Sequence, residues 1–142
     1  MQTLPTNREH ILNTKSVILA AAIGLLSTLA NAQRVGITPE SLLTFDDVTM
    51  PGKDFRVLRT TYAPGGMNGK HYHPSHVVFY VLEGAGIWQE DGKEPVTLKP
   101  GGVLHVRPGV IHAHRNASAT EKLVFLEYVI VDKGQRSTVP TP

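Results

Sequence analysis

After Thr44 the sequence falls into short, β-prone runs, most of them separated by glycine or proline. Asp54–Tyr62 (DFRVLRTTY) stops at Ala63-Pro64-Gly65-Gly66, and Val77–Glu83 (VVFYVLE) stops at Gly84. Gly86–Gln89 leads into the hairpin turn Glu90-Asp91-Gly92-Lys93, and Val96–Leu98 ends at Lys99-Pro100-Gly101-Gly102. Val103–Arg107, Ile111–Arg115 and Lys122–Val131 complete the series. Runs spaced roughly 8–12 residues apart with turn residues between them predict an all-β sandwich or barrel. No segment after Thr44 repeats its apolar residues at about 3.6, so helices are not expected there. Upstream, Thr38-Pro39-Glu40-Ser41-Leu42-Leu43 predicts a short helical turn, with Thr38 as cap and Pro39 in the first helical position. Lys133–Pro142 is polar and reads as a loose C-terminal tail. The hydrophobic fraction of 41% is enough for one buried core, and 142 residues suit a single domain.

The first segment reads as an address. Residues 17–30 (VILAAAIGLLSTLA) carry no charge, Lys15 and Arg8 lie ahead of them, and Ala30-Asn31-Ala32 offers the small residues of a cleavage site. The run is shorter than the 18 or so residues a membrane-spanning helix needs. The expectation is a signal peptide over residues 1–32, a β-barrel domain over 33–132 and the tail over 133–142, with a periplasmic or secreted destination and no membrane partner after cleavage. A net charge of +2 with no basic run gives no case for a nucleic-acid partner. The absence of cysteine excludes disulfides, thiolate metal sites and a cysteine nucleophile.

The chemistry concentrates in histidine. His71 and His73 stand two apart, and His112 and His114 repeat the spacing about forty residues on. On a strand, residues i and i+2 share a face. Two such pairs on opposing walls of a small barrel would converge on one ion, held by nitrogen and oxygen ligands alone. The bland alternative is a set of surface or hydrogen-bonded imidazoles.

Residues 65–84 (GGMNGKHYHPSHVVFYVLEG) and 101–116 (GGVLHVRPGVIHAHRN) resemble the two motifs of the cupin superfamily. Gly65, His71, His73 and Gly84 fill G-x5-H-x-H-x3-E-x6-G, and Gly101, Gly109, His112 and Asn116 fill G-x5-P-x-G-x2-H-x3-N. The resemblance implies a jelly-roll β-barrel with one divalent transition metal per chain inside it (Fe, Mn, Zn, Ni or Cu), and a homodimer. Two positions depart from the pattern. Val77 stands where the family has a glutamate ligand, and Arg107 replaces the first proline of the second motif. The resemblance then leaves His71, His73 and His112 as metal ligands and permits dioxygenase chemistry at a three-histidine site, with lyase or isomerase chemistry next. A non-catalytic metal- or ligand-binding module is the alternative.

His76, one residue before Val77, is a candidate fourth ligand, or else a rim residue. His114 is a candidate ligand or a catalytic acid/base beside the small-molecule substrate. His105 reads as a partly buried histidine holding a backbone carbonyl. Phe79, Tyr80, Trp88 and Phe125 are expected to pack the barrel, and one of Glu127 and Tyr128 to reach the cavity. Arg59 and Arg115 read as surface salt-bridge partners, Asp46 and Asp47 as loop residues, and Asn116-Ala117-Ser118 is a formal glycosylation sequon.

Overall fold

A computed structural model of the chain describes residues 34–46 and 48–141. The expected leader, Gln33 and Asp47 lie outside the described residues. Within them the chain is all β, without a helix. Nine strands follow in order: β1 (Arg34–Asp46), β2 (Lys53–Tyr72), β3 (Val77–Glu83), β4 (Gly86–Glu90), β5 (Val96–Leu98), β6 (Val103–Val106), β7 (His112–Asn116), β8 (Leu123–Asp132) and β9 (Val139–Pro140). They form one curled antiparallel sheet in the order β5-β4-β7-β2-β8-β3-β6, with β1 and β9 added to β2.

Three features differ from the sequence expectation. The Thr38-Pro39 segment lies inside β1, paired with β2 from Arg34↔Asn68 to Asp46↔Asp54. That long antiparallel ladder outweighs a local capping signal. β2 does not stop at Ala63-Pro64-Gly65-Gly66 but bends through it. Gly65 has φ +69, and a Cβ at Gly66 would stand 2.9 Å from the Ala63 carbonyl oxygen. The tail is not loose. β9 pairs with the end of β2 (His71↔Pro140, Tyr72↔Val139), and the Thr141 amide donates to the Lys70 carbonyl at 3.2 Å. Residues 133–141 thus form a strap across one end of the barrel.

The core follows the alternation of the strands. Val77, Phe79 and Val81 of β3 point inward with Leu123, Phe125, Val129 and Val131 of β8, joined by Tyr62 and Trp88. Burial of each such large apolar side chain contributes on the order of 1.5–3 kcal/mol. Tyr80 faces out, 42% exposed, because it alternates with the buried Phe79 and Val81. Asn116 is also structural. Its Nδ2 donates to the Ala63 and Glu121 carbonyls at 3.0 and 2.7 Å, and its Oδ1 accepts from the Ser118 amide. The amide of the sequon is therefore buried and already bonded.

Candidate metal centre

On the first half of β2 the even-numbered Thr60 and Tyr62 face the interior. Against β7 the register slips between Asn68↔His114 and His71↔His112. A slip of one residue exchanges the two faces of a strand. Asn68 and His71 are consequently both buried, and His73, just beyond the end of β2, is buried as well. His71 and His112 lie opposite each other across the β2–β7 ladder. The turn that carries Gly109 is tied to the first histidine segment by its amide, which donates to the His73 carbonyl at 2.8 Å.

Three imidazoles therefore meet. One nitrogen from each of His71, His73 and His112 lies within 4.8 Å of the others. Their ring centroids are 5.1, 4.3 and 5.0 Å apart. Each Nδ1 faces a backbone carbonyl: Gly69 at 2.7 Å for His71, Ser137 at 2.5 Å for His73 and Val110 at 3.0 Å for His112. A carbonyl only accepts, so each Nδ1 carries the hydrogen and each Nε2 is left with a lone pair. Nε2 of His73 and of His112 is buried without a partner, and Nε2 of His71 has only the Asn68 amide at 3.5 Å. Unpartnered buried acceptors are costly. Two of them, converging with the weakly partnered Nε2 of His71, match the requirement of a divalent metal ion for neutral imidazoles. Burial pushes the pKa of His71 down to about 3 and that of His73 to about 4, and lowers that of His112. All three rings are thus unprotonated and ready to ligate at neutral pH.

Val77 is 1% exposed and belongs to the apolar core, so this wall of the site carries no carboxylate. His76 stands elsewhere. It precedes an inward residue on an extended chain, so it points outward, and its Nδ1 shares a 2.8 Å hydrogen bond with Nε2 of His105. The two rings stack on the exterior, where His105 holds His76 and not a backbone carbonyl. His114 is buried beside the group but outside it. Its ring is sandwiched between Tyr62 and Trp88 at 5.5 Å each, and its Nδ1 lies 2.8 Å from the Tyr62 hydroxyl. Burial drives its pKa well below the ordinary range.

His71 and His73 open onto a cavity of about 610 Å³ whose walls also include Tyr62, Asn68, His114 and Glu127. The strap closes one side of it with residues 134–138. Glu127 accepts a hydrogen bond from the Thr60 hydroxyl at 2.7 Å, and burial raises its pKa. Of the pair Glu127 and Tyr128, then, the glutamate faces in. Arg59 instead makes a surface ion pair with Glu40 at 2.5 Å, and Asp46 one with Lys133 at 2.5 Å. Sequence reasoning missed Ser137 and the arginines around the cavity, because neither a carbonyl acceptor nor an arginine on a strap has a spacing signature.

A cupin-domain family model matches residues 58–131. Among curated proteins, quercetin 2,3-dioxygenase of Bacillus subtilis is 42% identical over 55 residues, which cover 38% of this chain and 16% of that enzyme. Among solved structures, the polyketide cyclase RemF from Streptomyces resistomycificus superposes with a TM-score of 0.62 at 17% identity, covering 80% of this chain and 77% of that one. A cupin superfamily protein from Desulfitobacterium hafniense gives 0.57 at 19% identity, with 75% and 88% covered. At these identities the structures speak for the fold.

Proposed function

The chain belongs to the cupin family, and from that premise we propose that it is a metal-dependent enzyme acting on a small organic molecule, of dioxygenase type. The observation that carries the reading is the convergence of three imidazole Nε2 lone pairs, two of them buried and unpartnered, with His71 and His73 lining a cavity of about 610 Å³. His71, His73 and His112 would hold one divalent ion, of Fe, Mn, Zn, Ni or Cu. Bound there, the ion supplies Lewis acidity and open coordination positions, since three neutral ligands leave its charge uncompensated. The partial likeness to quercetin 2,3-dioxygenase supports oxidative chemistry over lyase or isomerase chemistry.

The chain's own residues do the rest. The carbonyls of Gly69, Ser137 and Val110 fix the tautomers. His114 is assigned to substrate. With the Tyr62 hydroxyl donating to Nδ1, its proton sits on Nε2 as a hydrogen-bond donor. Phe79 packs against His73 and His112, with ring centroids 6.0 and 6.5 Å away. A second reading, a non-catalytic binding module, is favoured by Val77, because the missing carboxylate removes an acid/base group next to the ion. Cleavage after Ala32 and a periplasmic or secreted location complete the proposal, supported by the uncharged 17–30 run.

Metal analysis of protein purified without added metal tests the reading. About one transition ion per chain is expected, and none in His73→Ala. Oxygen uptake with diketones, thiols and catechols then separates the enzyme from the binder. Protein without metal, whose melting temperature ignores every added ion, overturns both.

A further inference from the structure

The cavity that receives the imidazoles is asymmetric in charge. Three arginines line it: Arg34 at the start of β1, Arg56 on β2 and Arg136 on the strap. Arg56 is occupied, with one nitrogen 2.7 Å from Asp54 Oδ2 and another donating to the Gln135 carbonyl at 3.1 Å. Arg34 and Arg136 make no ion pair among the described residues. The charge of Arg34 is felt at Tyr62 and Glu127, both of which line the cavity. Its guanidinium therefore acts on the interior and not only on solvent.

Against these two cations stands one lining carboxyl, Glu127. Burial favours its neutral form, and the Thr60 hydroxyl already holds it against the wall. A volume of about 610 Å³ admits a small molecule and excludes a folded partner. A planar guanidinium fork matches a carboxylate through two parallel hydrogen bonds, and a neutral amide cannot replace both.

We propose that this cavity takes a small organic carboxylate, its charged end bound by Arg34 and Arg136 and its other end directed toward His71 and His73. The inference rests on the metal-site reading only for the direction of the far end. The two arginines sit on segments from opposite ends of the domain, β1 and the strap, so the anion would also bridge them.

Calorimetric titration of the full chain, zinc-loaded and metal-free, with benzoate and with benzamide tests this. Benzoate is expected to bind both forms at least about 10-fold tighter than benzamide, with an affinity that falls as salt rises. Arg34→Gln combined with Arg136→Gln should lower benzoate affinity about 10-fold or more, with zinc stoichiometry and melting temperature unchanged. Arg59→Gln, which breaks only the surface pair with Glu40, should leave it intact. As a second readout on the unmutated chain, benzoate should shift the arginine Nε–Hε resonances in the ¹⁵N spectrum. Equal affinity for amide and acid, full benzoate binding in the double variant, or no benzoate binding at all would overturn the proposal. Zinc binding without benzoate binding defeats this inference alone, and benzoate binding without zinc defeats the metal reading alone.

Discussion

His71, His73 and His112 each use one nitrogen for a backbone carbonyl and keep the other for the shared centre, in buried positions that disfavour protonation. The pH behaviour follows. Burial holds His71 at about 3 and His73 at about 4, against an ordinary value of 6.5. Above roughly 6.5 neither the folded nor the unfolded chain protonates these rings, and stability is complete. As pH falls below that value the unfolded chain takes up protons first, so stability declines until the folded-state values are reached. These two rings alone give a slope of at most about 2.7 kcal/mol per pH unit. Metal-free protein should therefore show a lower urea midpoint at pH 5 than at pH 7.5; identical midpoints would mean that the rings are not buried and neutral. Val77 gives a second test. Val77→Glu places a carboxylate in the apolar core and should lower the melting temperature of the metal-free protein by several degrees, at a cost of about 2 kcal/mol or more. Zinc should raise the melting temperature of this variant more than that of the unmutated chain. An equal rise would show that residue 77 does not reach the ion. The spacing of the histidines offered two pairs that could converge, because period-2 geometry is local, and the motif resemblance singled out His112 from His114. His76, expected as a candidate fourth ligand or a rim residue, points outward because it precedes the buried Val77.

At the scale of elements, most strands declared themselves through glycine and proline, and β3, β4, β5 and β8 lie within a residue of their expected bounds. The failures share a cause. β1, the continuation of β2 through Gly66 and the strap are all decided by partners far along the chain, on which local composition is silent. Ser137 is the clearest case, because its carbonyl holds His73 from 64 residues away. Besides Ser137, the strap is held through the Gln135 carbonyl by Arg56, through β9 by β2, and through Thr141 by Lys70. Ending the chain after Asp132 should leave the barrel folded by circular dichroism, because the inward side chains of β2, β3 and β8 are untouched. It should weaken zinc binding about 10–100-fold, the usual cost of losing the group that orients a ligand histidine. Unchanged zinc affinity would show that the strap does not set the ring.

Across the whole molecule, the inner surface is accounted for by core and cavity, while the outer surface of β3 and its neighbours is unusually apolar. Val78, Tyr80 and Leu82 point outward, with Val103 of β6 opposite Tyr80 and Tyr128 of β8 opposite Val78, all between 37% and 58% exposed. The ion pairs Glu83–Lys122 and Arg59–Glu40 lie on the neighbouring strands. A contiguous apolar band on adjacent strands is uncommon on a monomer. It supports the proposed homodimer, with a second copy of this chain applying the same band. Sedimentation should give twice the monomer mass, and Tyr80→Lys with Val103→Lys should give one. A monomeric unmutated chain would dispose of the dimer. The carbonyl that steadies His73 stands 64 residues further along, so a nascent polypeptide emerging from the ribosome carries all three imidazoles before it can lock His73. An ion bound by the proposed triad would therefore be chosen only once Ser137 is in place, from whatever ions surround the chain as it completes its folding.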